Sequence, residues 1–258
     1  MDKQEFDSLF SLAGRHIVVA GGASGIGKGV ALSLAHSGAL IEVWDNDPIR
    51  LEETETDLSS ITNTYAIQRV DVTDLANVER AAADAEARAP VDSLFNSVGI
   101  SSARQTALEI TQEAWQRMLD VNLTGAWNLS RALGRAMVER GQGSIVHVAS
   151  TNTIDPSPGI AHYCVSKAGL GMLVQALGLE WAGAGVRVNG IGPGPIVTPM
   201  TEAIFRKNPT LRDEWLARVP MKTLGTPASL VGAAVFLLTD ASSWMTGQII
   251  YVDGGWLL

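Results

Sequence analysis

Tyr163 and Lys167 stand four residues apart in the run His162-Tyr163-Cys164-Val165-Ser166-Lys167. On a helix, that spacing projects both side chains from one face. An ammonium beside a phenol stabilises the phenolate and lowers a pKa that is about 10 when unperturbed. A tyrosine so placed acts as a general base near neutral pH. Alone the pattern is weak, because two helical residues four apart recur by chance. A glycine-rich loop far upstream gives it weight.

That loop is Gly21-Gly22-Ala23-Ser24-Gly25-Ile26-Gly27, set after an apolar strand and before a helix. Glycines at 21, 25 and 27 let the turn take positive φ and let a phosphate approach the backbone. The helix N-terminus behind them offers free N–H groups and positive dipole character to a pyrophosphate, with Ser24 and Ile26 flanking it. The spacing is G-x-x-x-G-x-G, not the commoner G-x-G-x-x-G. Asp45 ends the second strand, 18 residues beyond Gly27. A carboxylate there accepts from adenosine ribose hydroxyls and repels a 2′-phosphate. Neither Asn46 nor Ser24 is basic, so the expected cofactor is NAD. Asp71-Val72 follows the third strand, where it either flanks the adenine or simply starts a helix.

These residues need a frame. Residues 1–14 read as an arm. The expected strands are Arg15–Ala20, Leu40–Trp44, Tyr65–Val70, Ser93–Val98, Ser144–Ala149, Val186–Ile191 and Ile249–Val252. The expected helices are Gly25–Ser37, Pro48–Leu58, Asp74–Arg88, Thr111–Glu139, with Gly125 as a weak point, and Ala161–Ala182. Such alternation implies right-handed βαβ crossovers. The fold class is α/β, a single doubly wound Rossmann domain over 1–258 with a seven-stranded parallel sheet. Ligands are expected at the carboxyl ends of its strands.

The 258 residues suffice for one such domain, and the net charge of −8 argues against a nucleic-acid backbone as partner. No apolar run approaches the ~20 residues of a membrane span, and no secretory pattern opens the chain. With Cys164 as the one cysteine, no intrachain disulfide forms, which fits a reducing, cytoplasmic setting. His16, His36, His147 and His162 lack zinc-ligand spacing, so no metal is expected. His147 and His162 read as packing residues and Cys164 as an apolar filler.

From about Ala13 to Gly255 the chain resembles the short-chain dehydrogenase/reductase family. Gly21, Gly25 and Gly27 match its cofactor loop. Asn96-Ser97-Val98-Gly99 matches its Asn-Asn-Ala-Gly segment, and Asn122 the asparagine of its long fourth helix. Ser150, 13 residues before Tyr163, matches its catalytic serine. Pro193-Gly194 matches the turn after the sixth strand. Ile196 and Val197-Thr198 follow, where family members bond the nicotinamide carboxamide. Asp253-Gly254-Gly255 matches the usual ending. Three positions depart: Ala20 replaces a threonine, Ser97 an asparagine and Val98 an alanine. A hydroxyl bond lost there costs about 1 kcal/mol and softens the loop.

The resemblance implies reversible hydride transfer between a secondary alcohol and nicotinamide C4. Tyr163 would move the proton. Lys167 would lower its pKa and hold the nicotinamide ribose. Ser150 would orient the substrate oxygen. Asn122 would anchor a water linking Lys167 to solvent, or else satisfy a kinked helix. Three loops should read the substrate: Ile100–Gln105, Thr151–Ile160 and a lid at about 195–219. Ser102, Asn152 and Pro195 join Ser150 and Tyr163 as substrate-facing candidates. Arg104, Thr153 and Asp155 add polarity that suits a polyol or sugar acid. Met200, Phe205 and Trp215 either line an apolar pocket or pack the lid. The lid resembles that of galactitol and gluconate dehydrogenases. A 3-oxoacyl-thioester reductase is the alternative, and a non-catalytic NAD-binding scaffold a remote one. The family implies a homotetramer built on the two long helices, with the tail Gly255-Trp256-Leu257-Leu258 reaching a neighbouring subunit.

Overall fold

The computed structural model describes residues 2–258. Its seven strands are β1 His16–Ala20, β2 Leu40–Asp45, β3 Tyr65–Arg69, β4 Ser93–Asn96, β5 Gly143–Val148, β6 Val186–Pro193 and β7 Ile249–Val252. They form one all-parallel sheet in the order β3-β2-β1-β4-β5-β6-β7. Parallel strands need covered faces, so β1 is buried along its whole length. Alternate residues feed two cores. Ile17 and Val19 join Leu34, Leu51 and Leu237 on one face. Val18 and Ala20 join Val78, Leu129, Leu133 and Leu177 on the other.

The first face is covered by α2 Gly25–Ala35, α3 Pro48–Ser59 and α10 Val231–Leu238. The second is covered by α4 Leu75–Arg88, α6 Gly125–Arg140 and α7 Ala161–Trp181. The strand order reverses between β1 and β4, so a crevice opens between the segments that leave their carboxyl ends. The glycine loop and Ser97-Val98-Gly99 border it.

The structure departs from expectation in two main places. Residues 1–14 are not a bare arm: Lys3–Leu9 is a helix, α1. Asp2 Oδ1 accepts from Glu5 N and Glu5 Oε2 from Asp2 N, each at 2.8 Å, a reciprocal cap on its first turn. The long fourth helix is not continuous. It runs as α5 Gln112–Leu119, a π turn Asp120–Thr124, then α6. The lid segment carries short helices, as expected: α8 Pro199–Lys207 and α9 Thr210–Arg218. In the tail, Trp256 packs against α9 of its own chain, its ring 6.2 Å from that of Trp215, while Leu258 is fully exposed.

No helix among the described residues is long and apolar enough to cross a membrane. No cluster of acidic, histidine or cysteine side chains among them is placed to hold a metal ion.

Candidate active site

A cleft of about 550 Å³ runs along the carboxyl ends of the strands, from Asp45 at one end to Ser150, Tyr163 and Lys167 at the other. Gly21, Ser24, Gly25, Ile26 and Asp45 line it, with Asp71, Val72, Gly99, Pro193, Gly194, Ile196 and Thr198 further along. Ser24 is the N-cap of α2, yet its side chain makes no capping bond. The first turn of α2 therefore presents uncapped amides to the cleft, as an anion would require. Gly27 lies behind this surface. A Cβ there would stand 2.1 Å from the Gly21 carbonyl oxygen and 2.3 Å from Ser97 Oγ. Only glycine allows the helix to sit so close to the strand. A dinucleotide's pyrophosphate fits this cradle.

Ser97, a departure from the family pattern, braces the loop. Its hydroxyl lies 3.1 Å from the Gly21 carbonyl oxygen and 3.3 Å from that of Ala20, and donates between them. Asn96 is buried and supports the same turn, its Oδ1 accepting from Val98 N at 3.0 Å.

At the adenosine end, Asp45 Oδ2 accepts from Ala23 N and Oδ1 from Asp47 N, each at 3.2 Å. Basic residues do stand here, contrary to the expectation from neighbouring sequence. Arg50 lines the cleft beside Asn46, and Arg69 Nε donates to the Asn46 carbonyl at 3.2 Å. Arg50 Nε pairs with Asp47 at 3.3 Å, so both guanidiniums are engaged. Arg50 was legible in principle. It lies three residues beyond the N-cap Asp47, on the first turn of α3. Asp71 does not start the next helix. Asp74 caps it through Asn77 N, leaving Asp71 to bind Thr73 within the loop.

At the other end Lys167 is buried, and its Nζ donates to the Val148 carbonyl at 2.8 Å. Burial lowers it to about 8. Its Nζ is 5.9 Å from the centre of the Tyr163 ring. The Tyr163 phenol is shifted in the opposite direction to the expected depression. Burial raises Tyr163 above its ordinary value, and the Ser150 hydroxyl draws it partly back. Ser150 leaves β5 in extended conformation and caps the turn Thr151–Thr153, its Oγ accepting from Asn152 N.

Asn122 sits in the π turn and does not line the cleft. Its Oδ1 accepts from Ile100 N at 2.8 Å, and its Nδ2 reaches Ile100 O and Ser166 Oγ, each at 3.0 Å. A Cβ on Gly99 would lie 3.5 Å from both Asn122 Oδ1 and Lys167 Nζ. Asn122 therefore fixes the loop after β4 against α7.

Three substrate-facing candidates stand apart from the cleft lining. Ser102 is tied to His162 Nε2 at 3.0 Å. Asn152 spends its amide on Asp155 O and Ser157 Oγ. The Pro195 carbonyl accepts from Gly225 N. Ile100, Val148 and Met200 line the cleft instead, as does the exposed Arg117. Met200 was foreseen as either lining or packing, and it lines. Phe205 and Trp215 pack on each other at 5.2 Å. A larger concavity of about 860 Å³ opens at the amino ends of the strands. Its Arg15 and Arg187 are spent on Asp240, Ser242 and backbone carbonyls, so no convergent chemistry faces it.

A family model described as enoyl-(acyl carrier protein) reductase matches residues 21–257. The chain is 40% identical to galactitol 2-dehydrogenase (L-tagatose-forming) of Cereibacter sphaeroides, over 98% of each chain. It is 37% identical to 2-dehydro-3-deoxy-D-gluconate 5-dehydrogenase of Pseudoalteromonas atlantica, over 96% of this chain and 98% of that one. A solved structure from Beutenbergia cavernae, provisionally named an NAD(P)-dependent gluconate 5-dehydrogenase and holding NADP at low occupancy, superposes with a TM-score of 0.91. It shares 39% identity, over 96% of this chain and 99% of that one.

Proposed function

The chain belongs to the short-chain dehydrogenase/reductase family, and from that premise we propose that it oxidises a secondary hydroxyl of a polyol, sugar or sugar acid with NAD⁺. It is an oxidoreductase of alcohols and ketones that uses a pyridine nucleotide. One observation carries the finer reading: a single cleft joins an acidic adenosine end at Asp45 to Ser150, Tyr163 and Lys167. When bound, the cofactor supplies the hydride acceptor and a positive charge beside the phenol. Ser150 orients the hydroxyl, Tyr163 takes its proton, and Lys167 holds the ribose and favours the phenolate. Asn122 keeps Ile100 and α7 in register beneath them. Gly21, Ser24, Gly25 and Ile26 hold the pyrophosphate, and Thr198 and Ile196 border the nicotinamide.

The preference for NAD⁺ rests on the Asp45 charge and on the engagement of Arg50 and Arg69 elsewhere. The substrate class is drawn from the named relatives, which act on galactitol and on a deoxygluconate. A homotetramer is the proposed assembly. On α7 the exposed Val165, Met172 and Leu179 are spaced by seven residues, and Trp127 on α6 is also exposed, an apolar stripe suited to a second copy.

The test is oxidation of a panel of polyols, sugar acids and simple secondary alcohols with NAD⁺ and NADP⁺ in parallel, followed by reduced-nicotinamide absorbance. Turnover of a polyol or sugar acid with NAD⁺ is expected. Silence across the panel, with reduction of a 3-oxoacyl thioester, would overturn the substrate reading and keep the Tyr163 chemistry.

A further inference from the structure

Trp256 joins three segments that sequence separates widely. Its ring lies edge-on to Trp215 of α9. The Arg218 guanidinium, at the end of α9, stacks 3.9 Å from the ring centre. Its Nε1 donates to Asp155 Oδ2 at 3.2 Å, and Arg218 Nη2 donates to the same oxygen at 2.5 Å. Asp155 belongs to the loop after Ser150, and its backbone N–H donates to the Thr151 carbonyl. On the lid side, Trp215 packs on Phe205 of α8, the helix whose Met200 and Ala203 face the cleft. A chain of contacts thus runs from α8, which faces the cleft, to the loop after Ser150 through the chain's tail.

The tail is shaped for this place. Asp253 Oδ1 accepts from Gly255 N and Oδ2 from Leu257 N, which folds the segment into a turn. Gly255 has φ +88°, and a Cβ there would lie 2.9 Å from Pro220 Cγ. The Met221 amide donates to the Gly254 carbonyl. The half-exposed Asp155–Arg218 pair contributes little alone. The indole between them supplies area and direction.

We propose that Trp256 is the positioning residue of the lid. It clasps α9 to the loop following Ser150 and so sets the width of the cleft over the reacting carbon, without touching substrate. This rests on the reading that residues 195–219 cover the substrate.

The test uses the full-length protein with NAD⁺ bound and the variant Trp256→Leu. Tryptic cleavage at Arg206, Lys207 and Arg212 is expected to accelerate at least fivefold. KM for the alcohol should rise at least fivefold, with NAD⁺ affinity within twofold of the parent. Trp256→Phe, which keeps the stack and loses the Asp155 bond, should fall between. If Trp256→Leu does not fold, Arg218→Gln removes the stacked cation and reads the same two quantities with the same sign. Unchanged lid cleavage, or faster cleavage with unchanged KM, overturns the proposal. The proteolysis needs no substrate, so failure of the substrate reading would leave faster cleavage in an enzyme that turns over none of the panel.

Discussion

His147 Nδ1 accepts a hydrogen bond from Asn96 Nδ2 at 3.0 Å, and the opposite side of the ring fixes its tautomer. Ser130 Oγ donates to the Ala126 carbonyl, so the 2.9 Å contact from His147 Nε2 to Ser130 Oγ carries the ring proton. The imidazole is neutral, and it orients the amide that holds Val98 and the cofactor turn. Burial, with Lys167 as a lesser cause, lowers His147 to about 3 from 6.5.

The sign of the pH effect follows. Between those two values the unfolded chain binds the proton and the native chain does not, so stability rises with pH across the window. His147 should contribute a slope approaching one proton, about 1.4 kcal/mol per pH unit. Urea unfolding midpoints from pH 4.5 to 7 check it. Parent and His147→Gln should differ in slope across this range, and equal slopes would refute the assignment.

Replacing Tyr163 with phenylalanine should lower kcat by about 10³-fold, within the usual range for a lost proton-transfer group. NAD⁺ affinity, read by quenching of protein fluorescence, should hold within twofold. Full turnover by the variant would remove Tyr163 from the reaction.

Lys167 sits at about 8 in the folded protein, below its ordinary 10.5. Between those values the unfolded chain holds more protons, so the cost of burying the ammonium fades as pH climbs through the window. The thermal midpoint of Lys167→Met should therefore vary less between pH 8 and 10 than that of the parent. Parallel curves would show that Lys167 is not the buried cation responsible.

Asp45→Asn keeps an oxygen for Ala23 N or Asp47 N and removes the charge. The ratio of kcat/KM for NAD⁺ over NADP⁺ should fall about tenfold, equivalent to about 1.4 kcal/mol of lost discrimination. An unchanged ratio would place selectivity with Arg50 and its neighbours.

Met172 and Leu179 are 62% and 82% exposed on α7. If they are covered by another copy, Met172→Glu with Leu179→Glu should lower the mass seen by light scattering while leaving the fold's circular dichroism unchanged. A parent protein that is already a monomer would end the tetramer reading.

The seven strands and the helices between them as far as Trp181 were legible, most strands being apolar runs between turn residues; the uniformly apolar Val231–Leu238, without a side-chain cap, was not read as a helix. The chemistry at Gly21–Gly27 and at Tyr163 was legible for the same local reason. What escaped depends on partners far along the chain. A kink at Asn122 was among the readings, but Ile100 as the partner of both ends of its amide was not. Ser102 and Asn152 look free in sequence, yet His162, Asp155 and Ser157 claim them. Trp256 reads in sequence as part of a tail reaching a neighbouring subunit, and its contacts with Arg218 and Asp155 appear only in the fold. The helix at Lys3–Leu9 is the exception. Its signal, an aspartate followed three residues later by glutamate, was local and was passed over.

The π turn at Asp120–Thr124 makes chain length itself a constrained quantity. It spends one residue more than a regular helical turn on the same advance. Deleting one residue there would let the turn close as a regular α turn, with α5 and α6 keeping their phase. Gly125 would keep its seat against Val72, where a Cβ would stand 2.6 Å from Val72 Cγ2. What would be lost is the bulged backbone from which Asn122 holds both Ile100 N and Ile100 O. The extra residue serves the loop after β4 and not the helix that carries it.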